Sequence, residues 1–154
     1  MRMSSANPNS CCPQQKNIER TILLVEDEAP VREVTRAVLE HAGYQVLECN
    51  GPEEGIRLGN EYQGRIGLLL SDVVMPGMSG PELGLRLRRL RPGLITIFMS
   101  GYADRDVLQN VLRDSTTTYI PKPFTIEVLL AGVAKALHTP PRDSALRSSS
   151  LTAR

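Results

Sequence analysis

From Thr21 onward the chain alternates short apolar runs with stretches of helical periodicity. TILLV (residues 21–25), flanked by charge, reads as a strand covered on both faces. Pro30 suits the first turn of a helix in which Val31, Val34 and Val38 recur on one face until Gly43 stops it. YQVLEC (44–49) reads as a second strand. Gly51-Pro52 then punctuates the chain before a poorly patterned segment whose Gly55 and Gly59 imply a weak second helix. IGLLLSDVV (66–74) is the strongest buried-strand pattern, ended by the turn-forming MPGMSG.

A third helix follows with Leu83, Leu87 and Leu90 on one face, and Pro92-Gly93 terminates it. Its arginines, Arg86, Arg88, Arg89 and Arg91, read as a solvated face rather than a binding patch. LITIFMS (94–100) is a fourth strand, Asp104 to Arg113 a short fourth helix and TTYI (117–120) a brief fifth strand. Ile126, Leu129, Leu130, Val133 and Leu137 mark a last helix, stopped by Pro140-Pro141. Five strands alternating with five helices imply an α/β fold with right-handed crossovers, a parallel sheet and helices on both faces. In such sheets ligands bind beyond the carboxyl ends of the strands.

Composition narrows the picture further. The 154 residues suit one domain, expected over residues 20–138 between polar tails at 1–19 and 139–154 that read as disordered. Eighteen Lys and Arg against 17 Asp and Glu leave a net charge of +1, without the basic excess that a nucleic-acid partner would call for. No run approaches the roughly 20 apolar residues of a membrane span, and the N-terminal stretch lacks the apolar core of a signal peptide. The spacing of Cys11, Cys12 and Cys49 suits neither zinc nor a disulfide framework. A soluble, cytoplasmic protein with no membrane and no nucleic-acid partner is the expectation.

The residues that close each apolar run carry the chemistry. Strand one ends in Glu26, Asp27 and Glu28, strand three in Asp72, strand four in Ser100 and strand five in Lys122. Carboxylates brought to about 4 Å repel by roughly 4 kcal/mol per pair at an effective dielectric of 20, so a proton or a cation must join them. Mg²⁺ is the natural choice, because it takes a few carboxylate oxygens together with water and substrate phosphate. With the ion on Asp27 and Asp72, a free oxygen of Asp72 can attack phosphorus to give an acyl phosphate. Lys122 can balance the charge and Ser100 can donate a hydrogen bond to a phosphoryl oxygen.

These residues stand in segments that resemble a known family, the receiver domain of bacterial two-component response regulators. ILLVEDEAPVR resembles its first-strand acidic motif and LLLSDVVMPGMSGPEL its phosphoacceptor strand and loop. FMSGYAD resembles its fourth-strand switch motif and YIPKPF its lysine motif, and the likeness covers about residues 20 to 138. It resembles both single-domain chemotaxis-type regulators and the terminal receivers of hybrid sensor kinases. The resemblance implies a flavodoxin-like, doubly wound sheet of five strands in the order 2-1-3-4-5. It further implies Asp72 as phosphoacceptor, with Mg²⁺ (Mn²⁺ as substitute) on Asp27, Asp72, the Val74 carbonyl and, through water, Glu26. Ser100 and Lys122 would sense the phosphoryl group, Tyr119 would be the switch aromatic and the Lys122-Pro123 peptide would be cis.

By that likeness a histidine kinase or phosphotransfer protein supplies the phosphoryl group. The surface of helix four, strand five and helix five passes the signal to another protein, since about 15 residues after helix five are too few for an effector domain. The chain would catalyse only its own phosphorylation and dephosphorylation and would not be a conventional enzyme. Two departures stand out: DSTTTYI lacks the family's usual Gly-Ala before strand five, and Val74 and Tyr102 stand two residues beyond the acceptor and the hydroxyl, at positions that in the family tune the phosphoryl lifetime. A haloacid dehalogenase would want an Asp-x-Asp pair after strand one, and a dinucleotide-binding module a glycine-rich turn there, where Glu-Asp-Glu would repel phosphates. The remaining alternative is a phosphorylation-independent scaffold of receiver fold.

Overall fold

A computed structural model describes residues 20–101, 104–109 and 116–138. The two expected tails, Tyr102 and the end of helix four lie outside the described residues. Five strands, β1 (Thr21–Val25), β2 (Gln45–Cys49), β3 (Leu68–Asp72), β4 (Ile95–Ser100) and β5 (Thr117–Pro121), alternate with α1 (Ala29–His41), α2 (Pro52–Glu61), α3 (Gly80–Leu90), α4 (Arg105–Gln109) and α5 (Ile126–His138). Every strand pair is parallel, in the order β2-β1-β3-β4-β5, as the resemblance implied.

Alternation along the strands sorts the core into two layers. Ile22, Leu24, Leu68, Leu70, Ile97, Met99 and Ile120 pack with Leu39 of α1 and with Leu129 and Val133 of α5. On the opposite face Leu23, Val25 and Leu69 pack with Leu83 and Leu87 of α3 and with Ile56 and Leu58 of α2. The strands run uninterrupted through this core, so β1, β3, β4 and β5 all release their last residues at one end of the sheet.

The helices depart from the expected faces in three places. In α1 Thr35 and Leu39 are buried and Val38 packs against the core as its periodicity implied, but Val34 is 64% exposed and lies off the buried stripe. In α3 Leu83 and Leu87 are buried, but Leu90, the last residue of the helix, is exposed. The α3 arginines are not all solvated. Arg86 pairs with Glu82 at the surface, but Arg88 donates to Thr117 Oγ1, and Arg91 reaches the carbonyls of Gly59, Tyr62 and Gly64. Arg91 thereby ties the carboxyl end of α2, where carbonyls lack helical partners, to the end of α3.

The glycines that weakened the forecast for α2 are what let it pack. A Cβ on Gly55 would stand 3.1 Å from Val25 Cγ2, and one on Gly59 would run into the Leu87 side chain. Elsewhere helix ends follow local chemistry: Ser79 Oγ accepts from the Glu82 amide to cap α3, and Gly43 (φ 93°) turns the chain after α1. Among the described residues no helix is long and apolar enough to cross a membrane.

Candidate functional site

The strand ends converge as their sequence positions require. Glu26 and Asp27 follow β1, Asp72 closes β3, Ser100 closes β4 and Lys122 follows β5. Carboxylate oxygens of Glu26, Asp27 and Asp72 all lie within 4.8 Å of one another. Lys122 Nζ donates to Glu26 Oε2 at 2.9 Å and to Asp72 Oδ2 at 3.0 Å. One ammonium against three carboxylates leaves a net negative site made of hard oxygen donors, which is the donor set a divalent cation of the magnesium type takes.

Each carboxylate has a distinct environment. Glu26 is fully buried, its second oxygen accepting from the Glu28 amide at 3.2 Å. Burial raises its pKa and the charge of Asp72 adds to the rise, outweighing the opposing bonds from Lys122 and the Glu28 amide. Asp72 is 8% exposed, and its Oδ1 accepts from the Val73 amide at 2.8 Å. Asp27 is exposed at the mouth of the cluster. Burial would by itself depress the Lys122 ammonium, but its bonds to the two carboxylates prevail and its pKa is raised above the usual 10.5. Glu28, counted among the strand-one acids, stands exposed before α1 and outside the cluster.

The remaining expected residues surround this centre. Ser100 is buried, and its carbonyl accepts from the Lys122 amide at 2.7 Å, which joins the ends of β4 and β5. The Lys122-Pro123 peptide is cis. Val74 lies two positions beyond Asp72 with an exposed side chain, and Tyr119 is 47% exposed on β5, in register with Phe98 of β4.

Two residues that sequence reasoning passed over shape the site. Gly80 opens α3, and its amide donates to the Val73 carbonyl at 2.8 Å. A Cβ there would overlap the backbone oxygen of Asp72 and stand 3.2 Å from Val73 Cα. Its signal was present in MPGMSG, read only as a turn. Arg32, from α1, donates through Nη1 to the Glu26 carbonyl at 2.8 Å. Nothing in the pattern separates it from any other helical arginine.

Comparisons with known proteins agree with this geometry. The family model for the response regulator receiver domain matches residues 22–134. The sensor kinase CckA of Brucella abortus is 38% identical over 117 residues, covering 76% of this chain and 12% of the kinase. The phosphate regulon transcriptional regulatory protein PhoB of Pseudomonas aeruginosa is 35% identical over 130 residues, covering 82% of this chain and 56% of that protein. The chain thus spans little more than half of one curated relative and a small part of the other. Among solved structures, the receiver domain from the hybrid histidine kinase CckA is 35% identical with a TM-score of 0.65, covering 76% of this chain and 98% of that one. A response regulator receiver domain protein from Clostridium thermocellum is 26% identical with a TM-score of 0.71, covering 76% of this chain and 93% of that one. With sequence and fold matched from β1 into α5, this chain belongs to the response regulator receiver domain family of two-component systems.

Proposed function

We propose that this chain accepts a phosphoryl group on Asp72 from the phosphohistidine of a histidine kinase or phosphotransfer protein. The observation that carries the proposal is the cluster of Glu26, Asp27 and Asp72 within 4.8 Å, bridged by Lys122. The Val73 amide and the Lys122 ammonium each hold one oxygen of Asp72, so the nucleophile is oriented before its partner arrives. An Asp72 oxygen attacks phosphorus, the P–N bond breaks and the imidazole leaves with the bonding pair. Lys122 is placed to pair with a phosphoryl oxygen, and Ser100 to donate a hydrogen bond to another. A magnesium ion, with manganese as substitute, held by Asp27, Asp72, the Val74 carbonyl and, through water, Glu26, would offset the charge gathering on the phosphoryl oxygens. Water later hydrolyses the acyl phosphate, so the chain acts on itself and is no conventional enzyme.

The output follows from the same atoms. Ser100 and Lys122, drawn to the phosphoryl group, bias the surface of α4, β5 and α5, where Tyr119 leaves its half-exposed position and packs inward. A second protein reads that face. Incubation with acetyl phosphate and Mg²⁺ tests the acceptor: acyl phosphate is expected on the wild type and absent from Asp72→Asn. Equal labelling of the two would refute the assignment. Unchanged amide spectra at β5 and α5 on adding beryllofluoride and Mg²⁺ would refute the coupling.

A further inference from the structure

The loop from β1 to α1 carries two of the three clustered carboxylates, and besides the bond that Glu26 Oε2 accepts from Lys122, further hydrogen bonds fix it. The Glu26 amide donates to the Cys49 carbonyl of β2 at 3.2 Å, the Glu28 amide donates to Glu26 Oε1, and the Glu26 carbonyl accepts from Arg32 Nη1 at 2.8 Å. That carbonyl belongs to the peptide joining Glu26 to Asp27, so the guanidinium fixes the plane from which Asp27 projects. Arg32 is itself held. Its Nε lies 3.8 Å from Glu48 Oε2 on β2, its side chain is 17% exposed, and Glu48 is anchored a second time by Arg36 at 2.6 Å. A planar fork on a rigid helix, braced by a neighbouring strand, is suited to set a backbone position.

We infer that Arg32 is a positioning residue for the metal site, acting through the Glu26–Asp27 peptide to hold Asp27 where it can share a cation with Asp72. The inference rests on the reading of the acidic cluster as a magnesium site. Two effects of Arg32 on that site oppose each other, which makes the role measurable. As a cation beside three carboxylates it should weaken Mg²⁺ binding, so deleting its charge would tighten binding. As the brace of the loop it should strengthen binding, so deleting it would weaken binding. Partners that orient metal ligands from behind typically cost 10- to 100-fold in affinity when removed.

Mg²⁺ titrations of the full chain, followed by the amide shifts of Asp27 and Asp72, separate the two. Arg32→Met is expected to weaken Mg²⁺ about tenfold while the rest of the amide spectrum keeps its dispersion. Arg32→Lys keeps the charge and one donor but loses the fork, and is expected to weaken binding about threefold, a loss that electrostatics does not produce. Arg57→Met, which removes the same charge from a surface arginine paired only with Glu54 and Glu61 of α2, should leave the affinity within twofold of wild type. Wild-type or tighter binding by Arg32→Met, or by Arg32→Lys should Arg32→Met not fold, would overturn the inference. A wild type that binds no Mg²⁺ would refute the metal reading itself and this inference with it.

Discussion

Gly80→Ala is the substitution for which local and tertiary physics disagree most sharply in sign. Gly80 opens α3 and is not among the glycines with positive φ, so alanine fits its backbone conformation. On helix propensity alone the change should stabilise the protein by up to about 1 kcal/mol. Tertiary contacts say the reverse. The added Cβ would overlap the Asp72 carbonyl oxygen and lie 3.1 Å from its carbon and 3.2 Å from Val73 Cα, all backbone atoms that no rotamer change can move. Relief requires α3 to slide from the end of β3, stretching the 2.8 Å bond from the Gly80 amide to the Val73 carbonyl. Overpacking of this kind costs about 1–3 kcal/mol. Weighed against the propensity gain, a net loss of about 1–2 kcal/mol is expected, read as a lowered urea midpoint at unchanged slope. Because the displaced atoms carry the Asp72 carboxylate, acetyl phosphate labelling should slow by about tenfold as well. A variant as stable as wild type, labelled at the same rate, would refute the claim that Gly80 sets the position of Asp72.

Lys122→Met leaves the fully buried Glu26 with only the Glu28 amide, and in EDTA should cost about 2–4 kcal/mol at pH 8, a deficit that shrinks as pH falls toward 4.5 and Glu26 protonates. In the wild type the Lys122 contribution is complete below pH 10.5 and is lost as pH rises through its raised folded value, so urea midpoints in EDTA should fall there and the fall should be absent from Lys122→Met. Arg91→Ala removes three donors from the end of α2 and should cost about 2 kcal/mol in urea unfolding without changing Asp72 labelling, since it acts at the opposite end of the sheet. Cys49 is buried and its thiol is pushed up to about 12, chiefly by that burial, so iodoacetamide should spare it in native protein at pH 8 and label it in urea.

The central strands were legible because each is a short apolar run covered on both faces, as in β1, where Ile22, Leu23, Leu24 and Val25 are all fully buried, whereas the edge strands β2 and β5 keep exposed positions. The site was legible for a related reason: in a parallel sheet the residue after each run falls at the same end, so Asp27, Asp72, Ser100 and Lys122 could be gathered from sequence positions alone. Helix faces were less so. Val38 packs against the core as expected but Val34 does not, because α1 meets the sheet mainly through Thr35 and Leu39, and a threonine carries little weight in an apolar pattern. In α2, Gly55 and Gly59 lower propensity and gave no hint that close approach to Val25 and Leu87 needed them. Arg91 and Arg32 were hidden altogether. A hydrogen bond from a long side chain to a backbone carbonyl, whether six residues away as for Arg32 or 32 as for Arg91, leaves no periodicity to read.

Chemical identification of the modified residue tests the central claim most directly. Protein treated with acetyl phosphate and Mg²⁺ is reduced with borohydride, which converts an acyl phosphate on aspartate to homoserine, and is then digested and mapped by mass spectrometry. Homoserine at position 72, formed only when Mg²⁺ is present, is the expected result. An unmodified Asp72, or reduction confined to Glu26 or Asp27, would contradict the account of Asp72 as the phosphoacceptor.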